Sequence, residues 1–303
     1  MLLVLALLGG TAAAFAVTEG LKLERSPIAA TKVDKVFSPV CGCPRDHAGI
    51  AFRLRRGDDV TVAIVDSGGH VVRTLLRNAS RRRGLHRLVW DGRGDNGIVV
   101  ADGSYKPRVH FRKAHRTILL PNPIKLDTAA PRPTLDGVAP TAFSPDGDGR
   151  RDHVVVRYRF GESARALLYV NGILRVRVKQ FRTSGSLTWY GLADLVPMPA
   201  GTYVLTLAGE DRAGNVSRAV GQEVVRIRYV ELRPRVLRVR EATRFGVKVS
   251  TDAVRYRWRL GKRHGTSGRR VLVLRAGYPG RYRLVVTANG HAARAIVIVE
   301  RRP

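Results

Sequence analysis

Asp146, Asp148 and Asp152 fall within FSPDGDGRRDHVVVRY (143–158), spaced D-x-D-x-x-x-D with Gly147 and Gly149 between them. Carboxylates at alternate positions on a glycine-loosened backbone can curl around a hard cation, and calcium takes ~6–8 oxygens. The same oxygens can instead accept backbone N–H groups and close an Asx-type turn. The EF-hand pattern is not met, because its twelfth position is Arg157 rather than glutamate. Arg150 and Arg151 also set positive charge beside the carboxylates. Calcium and a plain turn therefore both remain readings of this loop.

The chain's two cysteines are Cys41 and Cys43, in CGC. A disulfide between them, a metal held by Cys41, Cys43 and His47, and free thiols are the alternatives. The metal reading lacks an apparent fourth ligand. Export would permit the disulfide. Arg93-Gly94-Asp95 spells an adhesion tripeptide, but inside a tryptophan-bearing hairpin its glycine and aspartate serve turn geometry. Trp90, Trp189 and Trp258, with Tyr105, Tyr203 and Tyr282, could stack on sugars; their alternation with polar residues and their recurrence assign them to cores. No G-x-S-x-G, H-E-x-x-H or phosphate-cradling glycine loop occurs, so the chain reads as non-enzymatic, with no catalytic residues and no cofactor beyond a calcium ion.

Charge is the third chemical signal. The net charge is +30, and only nine of the 54 basic residues are lysine. Residues 226–303 hold 21 basic and 4 acidic side chains. Arg255, Arg257 and Arg259 alternate beside Trp258, and Arg281 and Arg283 flank Tyr282. A period of two sends such side chains to the face opposite a core. That gives either a solvated face in an arginine-rich chain or a polyanion-binding stripe, with guanidinium forks matched to phosphate or carboxylate.

The elements that carry these residues repeat. FSPVCGCPRDHAGIAFRL (37–54) aligns without a gap on FSPDGDGRRDHVVVRYRF (143–160). Ile50, Phe52 and Leu54 alternate as Val156, Tyr158 and Phe160 do, which predicts half-buried strands. Strand–turn–strand segments follow at 60–76 and 164–178, centred on Ser67-Gly68-Gly69 and Asn171-Gly172. Next come Trp90 and Trp189, then Gly103-x-Tyr105 and Gly201-x-Tyr203. A degenerate third copy runs through VRYRWRL (254–260), Gly280-x-Tyr282 and ARAIVIVE (293–300). Short strands with frequent turn signals and no helical pattern predict an all-β chain of tandem Ig-like or FnIII-like β-sandwiches.

VWDGRGDNGIVVADGSYKPRV (89–109) resembles the immunoglobulin-like domain of the FlgD, or flagellar hook-capping, type, whose hairpin reads W-D-G-x-D-x-x-G-x-x-V-x-x-G-x-Y. FSPDGDGRRD resembles the F-S-P-N-G-D-G-x-x-D loop that precedes such domains in bacterial surface proteins, and this favours the calcium reading. The resemblance spans about residues 37–220 and implies a fold more than a function, because the module decorates hook caps, secreted peptidases and wall proteins alike.

The expected layout is an apolar signal peptide or membrane anchor over 1–20, with a cleavage site after Ala16, then a linker over 21–36. Domains follow at 37–127, 141–225 and 226–303, with a proline-bearing linker over 128–140. Either form of the leader places the protein outside the cytoplasm, anchored or secreted, so nucleic acid is not an expected partner. The expectation is a surface binding or spacer protein that docks on an anionic cell-envelope polymer or another surface protein. A flagellar hook-assembly scaffold and an accessory module of a secreted hydrolase are the alternatives.

Overall fold

Alternation of one apolar and one polar face governs most strands of the computed structural model, which describes residues 10–11 and 25–302. The expected leader over 1–20 lies outside the described residues except for Gly10 and Thr11, and its proposed cleavage site falls wholly outside them. All named elements are strands, from Ile28–Val33 to His291–Glu300. Their buried residues form three separate apolar cores, spanning Ile28 to Leu126, Phe143 to Tyr229 and Leu232 to Val299. The chain divides into two compact units: residues up to 129 together with 212–215, and 130–211 together with 216–303.

In the first unit, a sheet of Ile28–Val33, Ala48–Leu54 and Gly84–Trp90 faces a larger one ordered Val36–Phe37, Ile124–Leu126, Gly103–Phe111, Asp58–Val65, Val71–Arg81. Ile50, Phe52 and Leu54 point inward against Val60, Val62 and Ile64, and Arg53 points out. Each such inward side chain contributes ~1.5–3 kcal/mol of burial. The sandwich begins earlier than the sequence suggests. Ile28–Val33, expected within a linker, pairs with Ala48–Leu54 and buries Ile28 and Val33.

The second unit contains two sandwiches. Strand Val154–Val170 serves both sheets of the first of these: residues 154–159 pair with Arg182–Trp189, and residues 165–170 pair with Gly201–Glu210. In the other repeat, Ala48–Leu54 and Asp58–Val65 are separate strands. The proline-bearing stretch expected as a linker over 128–140 instead supplies edge strand Pro133–Ala139, paired with Val154–Val170. An edge position tolerates proline because one side of the strand needs no donor, and Leu135 and Val138 pack against the core.

The join to the third sandwich is short, running from strand Val220–Ile227 to strand Glu231–Arg233. Its Tyr229 is buried, stacks on His291 with ring centroids 3.6 Å apart, and donates to the Met198 carbonyl at 2.7 Å. A five-stranded sheet ordered Val236–Arg240, His291–Glu300, Gly280–Ala288, Tyr256–Leu260, Arg263–Ser267 covers Glu231–Arg233, Arg244–Ser250 and Val271–Arg275.

Candidate functional site

Corresponding residues of the two FSP loops make the same contacts. The Ser38 N–H donates to the Arg45 carbonyl at 3.0 Å, and the Ser144 N–H to the Arg151 carbonyl at 2.9 Å. The prolines that follow pack against glycines of the tryptophan corner. A Cβ on Gly92 would lie 2.9 Å from Pro39, and one on Gly191 would lie 2.8 Å from Pro145. Both glycines have positive φ, so W-x-G and F-S-P are two halves of one corner. The Trp90 indole donates to the Arg93 carbonyl at 3.0 Å and the Trp189 indole to the Leu192 carbonyl at 3.3 Å. Each Gly-x-Tyr places its hydroxyl on the carbonyl four residues back: Tyr105 on Ala101, Tyr203 on Pro199 and Tyr282 on Tyr278. Trp90, Trp189, Tyr105 and Tyr203 are buried, whereas Trp258 and Tyr282 are half-buried at the edge of the third core.

On this frame the aspartate loop divides its labour. Asp152 accepts the Gly147 N–H at 2.9 Å and the Gly149 N–H at 2.7 Å, and Asp148 accepts the Arg150 N–H at 2.8 Å. These bonds form the expected turn. Asp146 accepts the Ser144 hydroxyl at 3.0 Å. Asn289, from the third sandwich, donates to Asp146 at 3.2 Å and to Asp148 at 2.9 Å. Asp252, also from the third sandwich, lies close by. Burial, and then the charges of Asp146 and Asp148, push its carboxyl up to about 6.

Two observations bear on a cation. Oxygens of Asp146, Asp148 and Asp152 lie within 4.8 Å of one another. Asp146 Oδ1 and Asp252 Oδ1 are buried without a hydrogen-bond partner. Orphaned acceptors of this kind fit a hard divalent ion. Asp146, Asp148 and Asp152 would hold it, and rotation of the Asn289 amide would offer an oxygen in place of its nitrogen. Such an ion would relieve the repulsion among the carboxylates and tie the loop to the third sandwich. Calcium is expected to raise the melting temperature of the second unit, by ~2.7 kcal/mol of stability at a hundredfold excess over Kd. Differential scanning calorimetry with calcium and with chelator checks this. An equal shift in Asp148→Ala would leave the loop a turn.

In the first repeat Val40 and Gly42 stand where Asp146 and Asp148 stand, and Cys41 and Cys43 are joined by a disulfide with Cα atoms 5.2 Å apart. His47 Nδ1 meets the Asp46 carboxylate. The Arg93-Gly94-Asp95 tripeptide is consumed by its hairpin: the Arg93 guanidinium donates to the Gly97 carbonyl at 2.8 Å, and Asp95 accepts the Thr74 N–H at 3.0 Å.

The arginines of the third sandwich gather on one sheet face. Arg257 and Arg259 are exposed, while Tyr256 and Leu260 on either side of them turn inward and Trp258 between them is half-buried. Arg281 and Arg283 are exposed on the neighbouring strand, and Arg255 is exposed just before Tyr256. Register adds three residues that sequence reasoning missed. Arg294 lies opposite Val285, which lies opposite Arg259, and Arg238 and Arg240 extend the same face through Ile298 and Glu300. Glu300 is the carboxylate of that face, 3.4 Å from Arg238. The alternation at 236–240 and 291–300 was the available signal; the parallel pairing that joins these first and last strands was not readable.

Fold and corner chemistry define a class, an all-β chain of immunoglobulin-like sandwiches. Residues 47–114 of it match the family described as the FlgD Ig-like domain, a stretch that includes Trp90, its hairpin and Tyr105. The basal-body rod modification protein FlgD of Salmonella typhimurium is 46% identical over 48 residues, which is 16% of this chain and 20% of that protein. The Salmonella typhi protein of the same name matches equally. The chain thus spans about one fifth of the length of these curated relatives. Among solved structures, the fibronectin(III)-like modules of Clostridium thermocellum CbhA align at 12% identity and a TM-score of 0.33, over 65% of this chain and 93% of that one. A bacterial ice-binding adhesin aligns at 13% identity and 0.28, over 92% of this chain and 100% of that one.

Proposed function

We propose that this chain is a non-catalytic, exported binding and spacer protein that docks on an anionic envelope polymer through the arginine face of its third sandwich. The observation that carries the reading is the concentration of Arg238, Arg240, Arg257, Arg259, Arg281, Arg283 and Arg294 on one exposed face beside a single glutamate. Guanidinium forks on a stiff sheet are pre-organised for rows of phosphate or carboxylate. The apolar residues 1–17 and the Cys41–Cys43 disulfide support export, since disulfides persist in oxidising compartments. Successive sandwiches along one chain suit a spacer.

The test is co-sedimentation of the full chain with purified teichoic-type polymer across a salt series. Binding at low salt is expected to fade towards 1 M, where the Debye length has shrunk to ~3 Å. Arg257→Glu with Arg259→Glu and Arg283→Glu should abolish it while leaving the melting temperature in place. No binding at low salt, or undiminished binding by the triple variant, defeats the reading. A second reading is a scaffold in flagellar assembly, favoured by the 48 residues shared with basal-body rod modification proteins. Association with hook or rod subunits in place of polymer would select it.

A further inference from the structure

Beyond the arginine face, and independent of it, the second unit contains a cleft of about 380 Å³ where its two sandwiches meet. Arg150 and Arg151 reach it from the FSP loop, Arg228 from the short join and Arg270 from the start of strand Val271–Arg275. Phe143 and Ala142 give it an apolar wall, and Thr251 adds a hydroxyl. We propose that this cleft is a binding site for a phosphate group, either free or carried on a small polyol.

Three features support the assignment. Among the described residues, none of the four guanidinium groups lies within 4.0 Å of a carboxylate or makes a side-chain hydrogen bond. Arg228 is only half exposed, and the Glu231 charge that reaches it is already paired with Arg226 and Arg233, so a bound anion would supply what that shared carboxylate does not. Asp252 is the one carboxylate on the lining, so four guanidinium groups leave the cleft net positive. The main chain at three of the four arginines is anchored at the cleft. The Arg151 carbonyl accepts the Ser144 N–H at 2.9 Å, the Arg270 carbonyl accepts the Val249 N–H at 2.8 Å, and the Arg228 N–H donates to the Phe143 carbonyl at 2.9 Å. Charge, forked donors and a volume suited to one phosphate and a few carbons select a compact oxyanion over an extended chain.

Isothermal titration calorimetry of the full chain tests this, with inorganic phosphate, glycerol phosphate and glycerol as probes. Both phosphates are expected to bind saturably at one site per chain, and glycerol not at all. Preference for glycerol phosphate assigns the site to a polyol phosphate, and equal binding assigns it to free phosphate. Arg270→Gln, at an exposed position, and Arg228→Gln should each weaken binding at least tenfold, whereas Arg53→Gln, outward-facing on the first sandwich, should leave it unchanged. Unsaturable binding, wild-type affinity in Arg270→Gln, or equal loss in Arg53→Gln overturns the proposal. Because cleft and face variants are read separately, failure here is distinguishable from failure of polymer docking.

Discussion

Glu210→Ala is expected to lower the stability of the second sandwich by ~3–5 kcal/mol, because it leaves buried positive charge without a partner. Glu210 is 6% exposed at the end of strand Gly201–Glu210 and accepts from both Arg165 and Arg177. Arg165 lies directly opposite it across the sheet, with its guanidinium over the Phe181 ring and its Nε already unsatisfied. Arg177 is half exposed and can rehydrate, which places the loss towards the lower end of that range. Burial alone would raise the Glu210 carboxyl, but hydrogen bonds and charge from the two arginines outweigh it and hold the carboxyl below its ordinary 4.5. The contribution is therefore complete above that ordinary value and is lost as pH falls through the depressed one. Urea titrations from neutral to acid pH should show the wild type losing stability in that window, with a flatter profile for Glu210→Gln. Superimposable acid profiles would remove Glu210 from the account.

Trp90→Ala should cost the first sandwich ~3–5 kcal/mol, the usual penalty for emptying a buried aromatic site. The indole is fully buried between Phe37 and Tyr105, with ring centroids at 5.3 and 5.1 Å. Its removal also orphans the Arg93 carbonyl that shapes the hairpin. Since Trp189 and Trp258 lie in the second and third cores, their fluorescence reports the remaining sandwiches in the same variant. Their transition should stay at its wild-type denaturant midpoint while circular dichroism shows an earlier loss from the first unit. A parallel fall in the tryptophan transition would mean that the cores do not stand separately.

Much of this organisation is legible in individual residues. The FSP repeat at 37 and 143 corresponds to one shared backbone bond, and Gly-x-Tyr at 103, 201 and 280 to one shared hydroxyl contact. Other features left no local trace. Pro133–Ala139 has the composition of a linker and becomes a strand because Val154–Val170 offers it an open edge. Arg255, Arg257, Arg259, Arg281 and Arg283 could be assigned to an outer face by parity, but Arg238, Arg240 and Arg294 join them only through strand pairing. The aspartate loop announced its carboxylates and not the Asn289 amide, 143 residues from Asp146, that spans two of them.

By itself the sequence determined most strands apart from Ile28–Val33 and Pro133–Ala139, the inward and outward sets of their side chains, and the repeated corner, since these follow from sterics and hydrogen bonds within a few residues of each position. Tertiary structure alone decided which strands share a sheet, how Asp146 and Asp252 come to hold buried oxygens without partners, and why Arg150, Arg151, Arg228 and Arg270 face one cleft. Those outcomes depend on groups far apart in the chain whose desolvation and charge interact only after the sandwiches have packed, and no local pattern encodes that energy.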